Sequence, residues 1–242
     1  MDQVVFCGID GCLTEGKGAA LDLARLGEVR ALIGQLAQKN IGFCLSTGRP
    51  QPYGELLGQI LGLNTPMICE NGGVIFDPVS ERAAIMVSES KIARMARLRH
   101  KMVDGNYIFE LGHEASIRIT WKGIARASQQ EIVAQREALA GHFIKTGLKW
   151  TNSNGSIDVT PRRVSKRSGA AFVLELLELE PINAFAIGDS HNDRKILEFV
   201  EQAMCPANAC DEIQALCGTV SSQPGVAGVI ELLQGILDIE NA

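Results

Sequence analysis

Val4-Val5-Phe6-Cys7-Gly8-Ile9-Asp10-Gly11-Cys12-Leu13-Thr14 is the stretch on which the fold of this chain turns. An unbroken apolar run closed by an acid and a glycine reads as a buried parallel strand delivering a carboxylate to its C-terminal edge. Taken alone, Asp-Gly after a strand is also ordinary turn chemistry. Three later stretches repeat the theme. Leu45-Ser46-Thr47-Gly48-Arg49 ends a second apolar run, and Lys166 heads a helical pattern. Gly188-Asp189-Ser190-His191-Asn192-Asp193 follows Ala184-Phe185-Ala186-Ile187.

Outward from these stretches, strand and helix alternate. Leu23, Leu26, Val29, Leu32, Ile33 and Leu36 recur at helical spacing within 21–39, and Ile41–Leu45 is the next strand. Pro50 and Pro52 permit a fresh helix start, which predicts a helix over 53–63. Met67-Ile68-Cys69 is a third strand, continued after Glu70-Asn71-Gly72-Gly73 by a hairpin-like Val74–Pro78. Near residue 80 the rhythm changes to helix-strand-strand, twice: 91–103, 107–111 and 116–121, then 129–142, 149–152 and 157–160, the last two around Asn154-Gly155. From residue 162 the first rhythm resumes, with helices over 165–179, 194–199, 211–216 and 226–239 and strands over 183–187 and 203–206. The pattern predicts an α/β, Rossmann-like parallel-sheet core made of residues 1–79 and 162–242. A smaller α/β domain, residues 80–161, is inserted between its halves, one sheet face left free to close over something.

The 242 residues are 46% hydrophobic and 21% charged, with a formal net charge of -5. That balance fits a soluble globular protein and argues against a nucleic-acid partner, which needs a basic patch. No apolar run reaches the ~18 residues of a membrane span, and Met1-Asp2-Gln3 lacks the basic segment of a signal peptide. The seven cysteines form no Cys-x-x-Cys pair and sit mostly in strand-like runs, as buried thiols do in a reducing cytoplasm. They lack the ligand spacing of a zinc site.

In an open parallel sheet, ligands bind beyond the carboxyl ends of the strands. That edge is expected to gather Asp10, Thr47, Asp189 and Asp193, with Lys166 reaching in from a helix start. Converging carboxylates repel one another unless a cation sits between them, and an all-oxygen set suits Mg²⁺ held by Asp10, Asp189 and Asp193. Thr47 and the backbone N–H groups from Gly48 onward are placed to hold a phosphoryl oxygen. Lys166 supplies the neutralising positive charge, and Asn192 orients the network.

These motifs, in this order and at these strand ends, resemble the haloacid dehalogenase (HAD) superfamily of phosphotransferases. The spacing between the second and third resembles type IIB, the Cof-like group of phosphoglycolate and sugar-phosphate phosphatases, with an inserted cap of type C2. The resemblance implies a Mg²⁺-dependent phosphatase for a small phosphorylated metabolite, and adds Arg49, Asn71 and Asn208 as binding positions. It also exposes one departure. The family pattern is Asp-x-Asp-Gly-(Thr or Cys)-Leu, whose first Asp attacks phosphorus and whose second is the acid–base. Here the pattern reads Gly8-Ile9-Asp10-Gly11-Cys12-Leu13.

Asp10 keeps the acid–base role, while Gly8 has no carboxylate to attack with or to hold metal. Loss of a nucleophile commonly costs on the order of 10⁴ to 10⁶ in turnover. Asp10 is displaced by about 6–7 Å along the strand and Cys7 points to the opposite face, so neither replaces it. Two readings follow: a phosphatase impaired by Gly8, or a non-catalytic module that binds a phosphorylated metabolite. In either, Arg118, His113, Trp121 and Arg162 are lid residues available to face the ligand.

Overall fold

The computed structural model describes residues 1–16, 18–102, 107–121, 123, 128–141, 143, 146–153 and 156–239. The first part of the chain runs β1 (Gln3–Cys7), α1 (Leu23–Gln38), β2 (Ile41–Leu45), α2 (Gln51–Leu61), β3 (Met67–Cys69), β4 (Val74–Asp77) and β5 (Arg82–Ile85). The inserted part follows as α3 (Glu89–Lys101), β6 (Tyr107–Phe109), β7 (Ile117–Trp121), α4 (Gln129–Gly141), β8 (Leu148–Ser153) and β9 (Ser156–Pro161). The last part is α5 (Lys166–Leu176), β10 (Ala184–Ile187), α6 (Arg194–Leu197), β11 (Gln202–Cys205), α7 (Asp211–Leu216), β12 (Thr219–Val220) and α8 (Gly225–Ile239). Val103, His142 and the Asn154-Gly155 turn, named by the sequence pattern, lie outside the described residues.

The central sheet is parallel, in the order β12-β11-β10-β1-β2. Its strands are apolar on both faces because both faces are covered. Val5 and Cys7 of β1 join Phe43, Leu45, Phe185 and Ile187 under α1 and α8. Val4 and Phe6 join Cys44, Ala184 and Ala186 under α5, α6 and α7. The chain leaves β1 in one direction for β2 and later returns on its other side for β10. A crevice therefore opens where these strands end.

An antiparallel sheet β3-β4-β5 continues past β2 through a bridge between Ser46 and Ile68. The sequence pattern missed β5, which pairs with β4 and so carries this sheet beyond residue 79. Helix α2 starts at Gln51, earlier than its apolar spacing indicates, with Pro52 in its first turn and left-handed Gly62 closing it.

The inserted module is an antiparallel sheet, β6-β7-β9-β8. Ile117, Ile119 and Trp121 of β7 and Ile157 and Val159 of β9 pack with Met95, Met102, Leu139 and Phe143 from the helical side. The intervening Arg118 and Asp158, directly opposite one another in register, occupy the other face, toward the crevice. A period of two thus separates an apolar helix-facing side from a polar core-facing side. Among the described residues no helix is long and apolar enough to cross a membrane.

Candidate active site

The ends of β1 and β10 are pinned together by the Gly8 N–H, which donates to the Ile187 carbonyl at 2.9 Å. Gly8 lies outside the left-handed region, so its backbone accepts any side chain. A Cβ built there would stand 3.0 Å from Cys12 Sγ and 3.6 Å from the Ile187 oxygen. A shift of the thiol by a few tenths of an ångström would therefore make room. Neither neighbouring thiol replaces a nucleophile. Cys7 is buried and its Sγ donates to the Gly8 carbonyl at 3.3 Å. Cys12 is fully buried, and its hydrogen bond with Cys7, desolvation and nearby Asp189 and Asp193 raise its pKa well above the usual thiol range.

Gly11, at φ +79°, lets the next turn pass directly beneath Asp189, where a Cβ would collide with the carboxylate at 2.0 Å. Lys166 sits at the head of α5, whose start is fixed by a reciprocal Ser165–Ser168 capping box. Its side chain is 4% exposed, and Nζ reaches Asp193 Oδ1 at 2.5 Å. Asp193 Oδ2 accepts from the N–H groups of Asp189 and Ser190 at 3.3 and 3.2 Å. Burial pulls the Lys166 pKa down, but Asp193 and then Asp189 outweigh it and leave the ammonium firmly charged. Asp189 is pushed up to about 7, first by burial, then by Asp193, with Lys166 only partly offsetting them. A carboxylate held in that state has strong affinity for a cation.

Asp10 is held differently. Arg49 clamps it with two parallel hydrogen bonds, Nη2 to Oδ1 at 2.6 Å and Nε to Oδ2 at 2.8 Å. The Arg49 guanidinium also stacks 4.7 Å over Tyr53 and reaches Glu110 of the cap at 3.5 Å. The three expected metal carboxylates line one cleft, but Asp10 is turned to Arg49. Asp189 and Asp193 are adjacent, whereas Asp10 faces Arg49, and the described residues hold no ready group of three metal-ligating side chains. A small, strongly hydrated cation that takes one or two carboxylates and shares a phosphate still fits Asp189 and its neighbour.

Thr47 is buried at the end of β2, where its Oγ1 accepts from the Arg49 N–H at 3.0 Å. Together Asp10, Thr47, Gly48, Lys166, Asp189 and Asn192 line a cleft of about 50 Å³, roofed by Arg118. Asn71 stands behind it. Left-handed at φ 56°, it donates to Asp158 Oδ2 at 3.2 Å and accepts from Asn192 Nδ2 at 3.3 Å. Asn208 is outside the cleft, bracing the turn by donating to the Gly11 carbonyl at 2.9 Å and accepting from the Gly225 N–H at 2.6 Å.

The sequence reading missed the contact that holds the cap down. Glu70, fully buried and left-handed at φ 51°, accepts from the N–H groups of Glu114 and Ala115 and from Ser116 Oγ, at 2.8, 2.9 and 2.8 Å. His113 lies between Glu70 and Glu110, at 3.5 and 3.7 Å. Burial lowers its pKa, yet the two carboxylates prevail and raise it above the usual histidine value. His113 is thus part of the latch, not of the ligand-facing wall. Trp121 points into the helix-facing core, and Arg162 is exposed at the rim. Of the four lid residues considered, Arg118 alone lines the cleft. It is held by Ser156 Oγ at 3.0 Å, Glu110 at 3.3 Å and Asp158 at 3.5 Å.

Residues 5–98 and 85–233 match the family model described as haloacid dehalogenase-like hydrolase. A phosphoglycolate phosphatase of Methanopyrus kandleri is 24% identical over 98% of both chains. The crystal structure of Thermoplasma acidophilum 0175 superposes with a TM-score of 0.77, covering 97% of this chain and 98% of that one at 22% identity. A sugar phosphatase of HAD subclass IIB has a TM-score of 0.68 at 15% identity, covering 97% and 98% of the two chains.

Proposed function

The chain belongs to the haloacid dehalogenase-like hydrolase family, and we propose that it is a phosphatase for small phosphorylated metabolites whose turnover Gly8 impairs. One observation carries the reading. Lys166, Thr47 and Asp189 converge on a single cleft, while the strand end that would present a nucleophile ends in hydrogen at Gly8. The phosphoryl group would lie against the Lys166 ammonium and the N–H groups following Thr47. Asp189, with Asp193 beside it, would hold Mg²⁺, which supplies charge neutralisation for the phosphoryl oxygens. Asp10 would serve as acid–base once it is released from Arg49. The relatives named for phosphoglycolate point to a phosphorylated small acid, and the subclass IIB neighbour to a sugar phosphate. Seven free cysteines suit a cytoplasmic setting.

The test is phosphate release from a panel of phosphorylated metabolites with Mg²⁺, comparing this chain with Gly8→Asp. Turnover by the variant alone, faster by on the order of 10⁴ or more, is the expected result. Equal rates in the two proteins would overturn the role given to Gly8. A second reading, a module that binds a phosphorylated ligand without turning it over, is favoured by the bidentate Arg49–Asp10 clamp. Binding by both proteins with turnover by neither would select it.

A further inference from the structure

Charge is divided unevenly along the chain. Residues 80–161 hold twelve Lys and Arg against eight Asp and Glu, and the rest hold eleven against twenty. The basic excess is concentrated in α3, whose one acid is Glu89. Ile92, Met95 and Met102 of this stretch turn inward to the cap core. Lys91, Arg94, Arg97 and Lys101, spaced at three and four residues, fall together along one flank. Like charges at these spacings destabilise a helix, and Lys91 in the first turn also opposes its dipole. No acid relieves them: among the described residues, none of the four side chains makes a hydrogen bond or ion pair. The flank borders a hollow of about 570 Å³, which Ser90, Leu98 and Thr146 complete. Arg94, Arg97 and Lys101 are exposed and Lys91 is half-buried, so the cations stand open to a ligand over about 15 Å of helix.

We propose that this flank of α3 is a binding site for an oligophosphate, a compact ligand with two or more adjacent phosphate groups. Helix α3 covers the face of the cap sheet opposite Arg118, so the site is distinct from the cleft and does not depend on how the cleft is read. The lining decides between polyanions. No aromatic side chain stands in it for a nucleic-acid base to stack on. Its one apolar residue, Leu98, is half-buried and offers nothing to insert into a lipid surface. What the hollow offers is four cations and the volume of a small-molecule site, with two arginines able to take phosphate oxygens in pairs. A single phosphate meets only part of the row, whereas a chain of phosphates meets several cations at once.

The test is calorimetric titration in EDTA, with amide exchange as the footprint. This chain, Arg94→Gln/Arg97→Gln and Arg82→Gln/Arg163→Gln are titrated with inorganic tripolyphosphate and with inorganic phosphate. All four arginines are exposed, so both double variants should fold, and the second removes the same charge elsewhere. Tripolyphosphate is expected to bind this chain and Arg82→Gln/Arg163→Gln alike, and to protect the amides of residues 91–101. Arg94→Gln/Arg97→Gln should bind it at least about ten-fold more weakly, as the loss of a charge-assisted hydrogen bond provides. Inorganic phosphate should leave those amides unprotected. Absence of tripolyphosphate binding, equal weakening in both double variants, or protection confined to Thr47 and Lys166 would overturn the site. Equal protection of α3 by inorganic phosphate would overturn the ligand class. So would tighter binding of a single-stranded oligonucleotide or of anionic lipid vesicles at the same amides.

Discussion

Glu70→Ala tests whether the cap is latched to the core through one buried carboxylate. The substitution strips the acceptor from three donors: the N–H groups of Glu114 and Ala115 and the Ser116 hydroxyl. Ala115 and Ser116 are buried, whereas Glu114 is exposed and its N–H can turn to water. The buried Ala115 N–H is orphaned at a cost of about 1–3 kcal/mol, Ser116 Oγ keeps only His113 Nδ1 at 2.8 Å, and His113 loses one of its two carboxylates, so the expected loss is about 2–4 kcal/mol. Glu70→Gln keeps the shape but turns an NH₂ toward a donor, and should lose a smaller part of this. Urea unfolding gives the magnitude. Amide exchange at Glu114, Ala115 and along β7 shows where the loss falls, because undocking the cap exposes those amides before the central sheet opens. A loss under about 1 kcal/mol with protection of Glu114 and Ala115 unchanged would refute the latch.

Two pH predictions follow from the same geometry. Protonated His113 bridges Glu70 and Glu110, and its folded pKa lies above the unfolded value of about 6.5. Its stabilisation is fully present below that unfolded value and is lost as pH rises through the folded one. Urea midpoints between pH 6 and 9 should therefore fall in this chain and flatten in His113→Gln; equal slopes would exclude the bridge. Asp189 acts through burial of its charge. With its pKa raised from 3.8 to about 7, the metal-free fold holds a proton that the unfolded chain gives up. Stability should then fall as pH rises from about 4 to about 7, by at most about 4 kcal/mol at 1.36 kcal/mol per unit. Saturating Mg²⁺ should flatten that decline, chelation should restore it and Asp189→Asn should abolish it. A decline indifferent to Mg²⁺ would show that Asp189 does not hold the cation.

The central strands were legible because a parallel strand covered on both faces spells a continuous apolar run, as Val4–Cys7 and Ala184–Ile187 do. Strand β5 was not, since Arg82-Ala83-Ala84-Ile85 is largely exposed and owes its conformation to the edge of β4. The carboxylates and Lys166 could be placed on one edge from sequence, but their partners could not. Asp10 in the sequence carries no mark of being clamped by a residue 39 positions away. Glu70 and Glu110 read as ordinary surface acids, since burial of an acid is decided by partners that only folding supplies. One error was avoidable. Arg118 and Trp121 are three residues apart on a strand, so alternation sends them to opposite faces, and only one could face the ligand.

The cleft and the empty position at Gly8 carry different physical weight. Lys166, Asp189 and Asp193 are charges taken out of water, and a packed apolar cluster of similar volume would stabilise the fold as well or better. Asp189 at about 7 records that strain directly. On the proposed reading, such a cluster would stabilise the protein once it shared its charges with a cation and a phosphoryl group, and binding free energy would then offset the desolvation. Gly8 leaves this arrangement intact, because the Gly8 N–H still ties β1 to β10 and Cys12 Sγ rests against the space a side chain would take. A carboxylate at that position adds a further negative charge to an edge already short of cations. In the absence of metal, Gly8→Asp should thus be less stable than this chain. On the proposed reading, binding and turnover would separate at one residue: the groups that would grip phosphate lie on β2, α5 and the turn after β10, and an attacking group would stand at Gly8, just beyond β1.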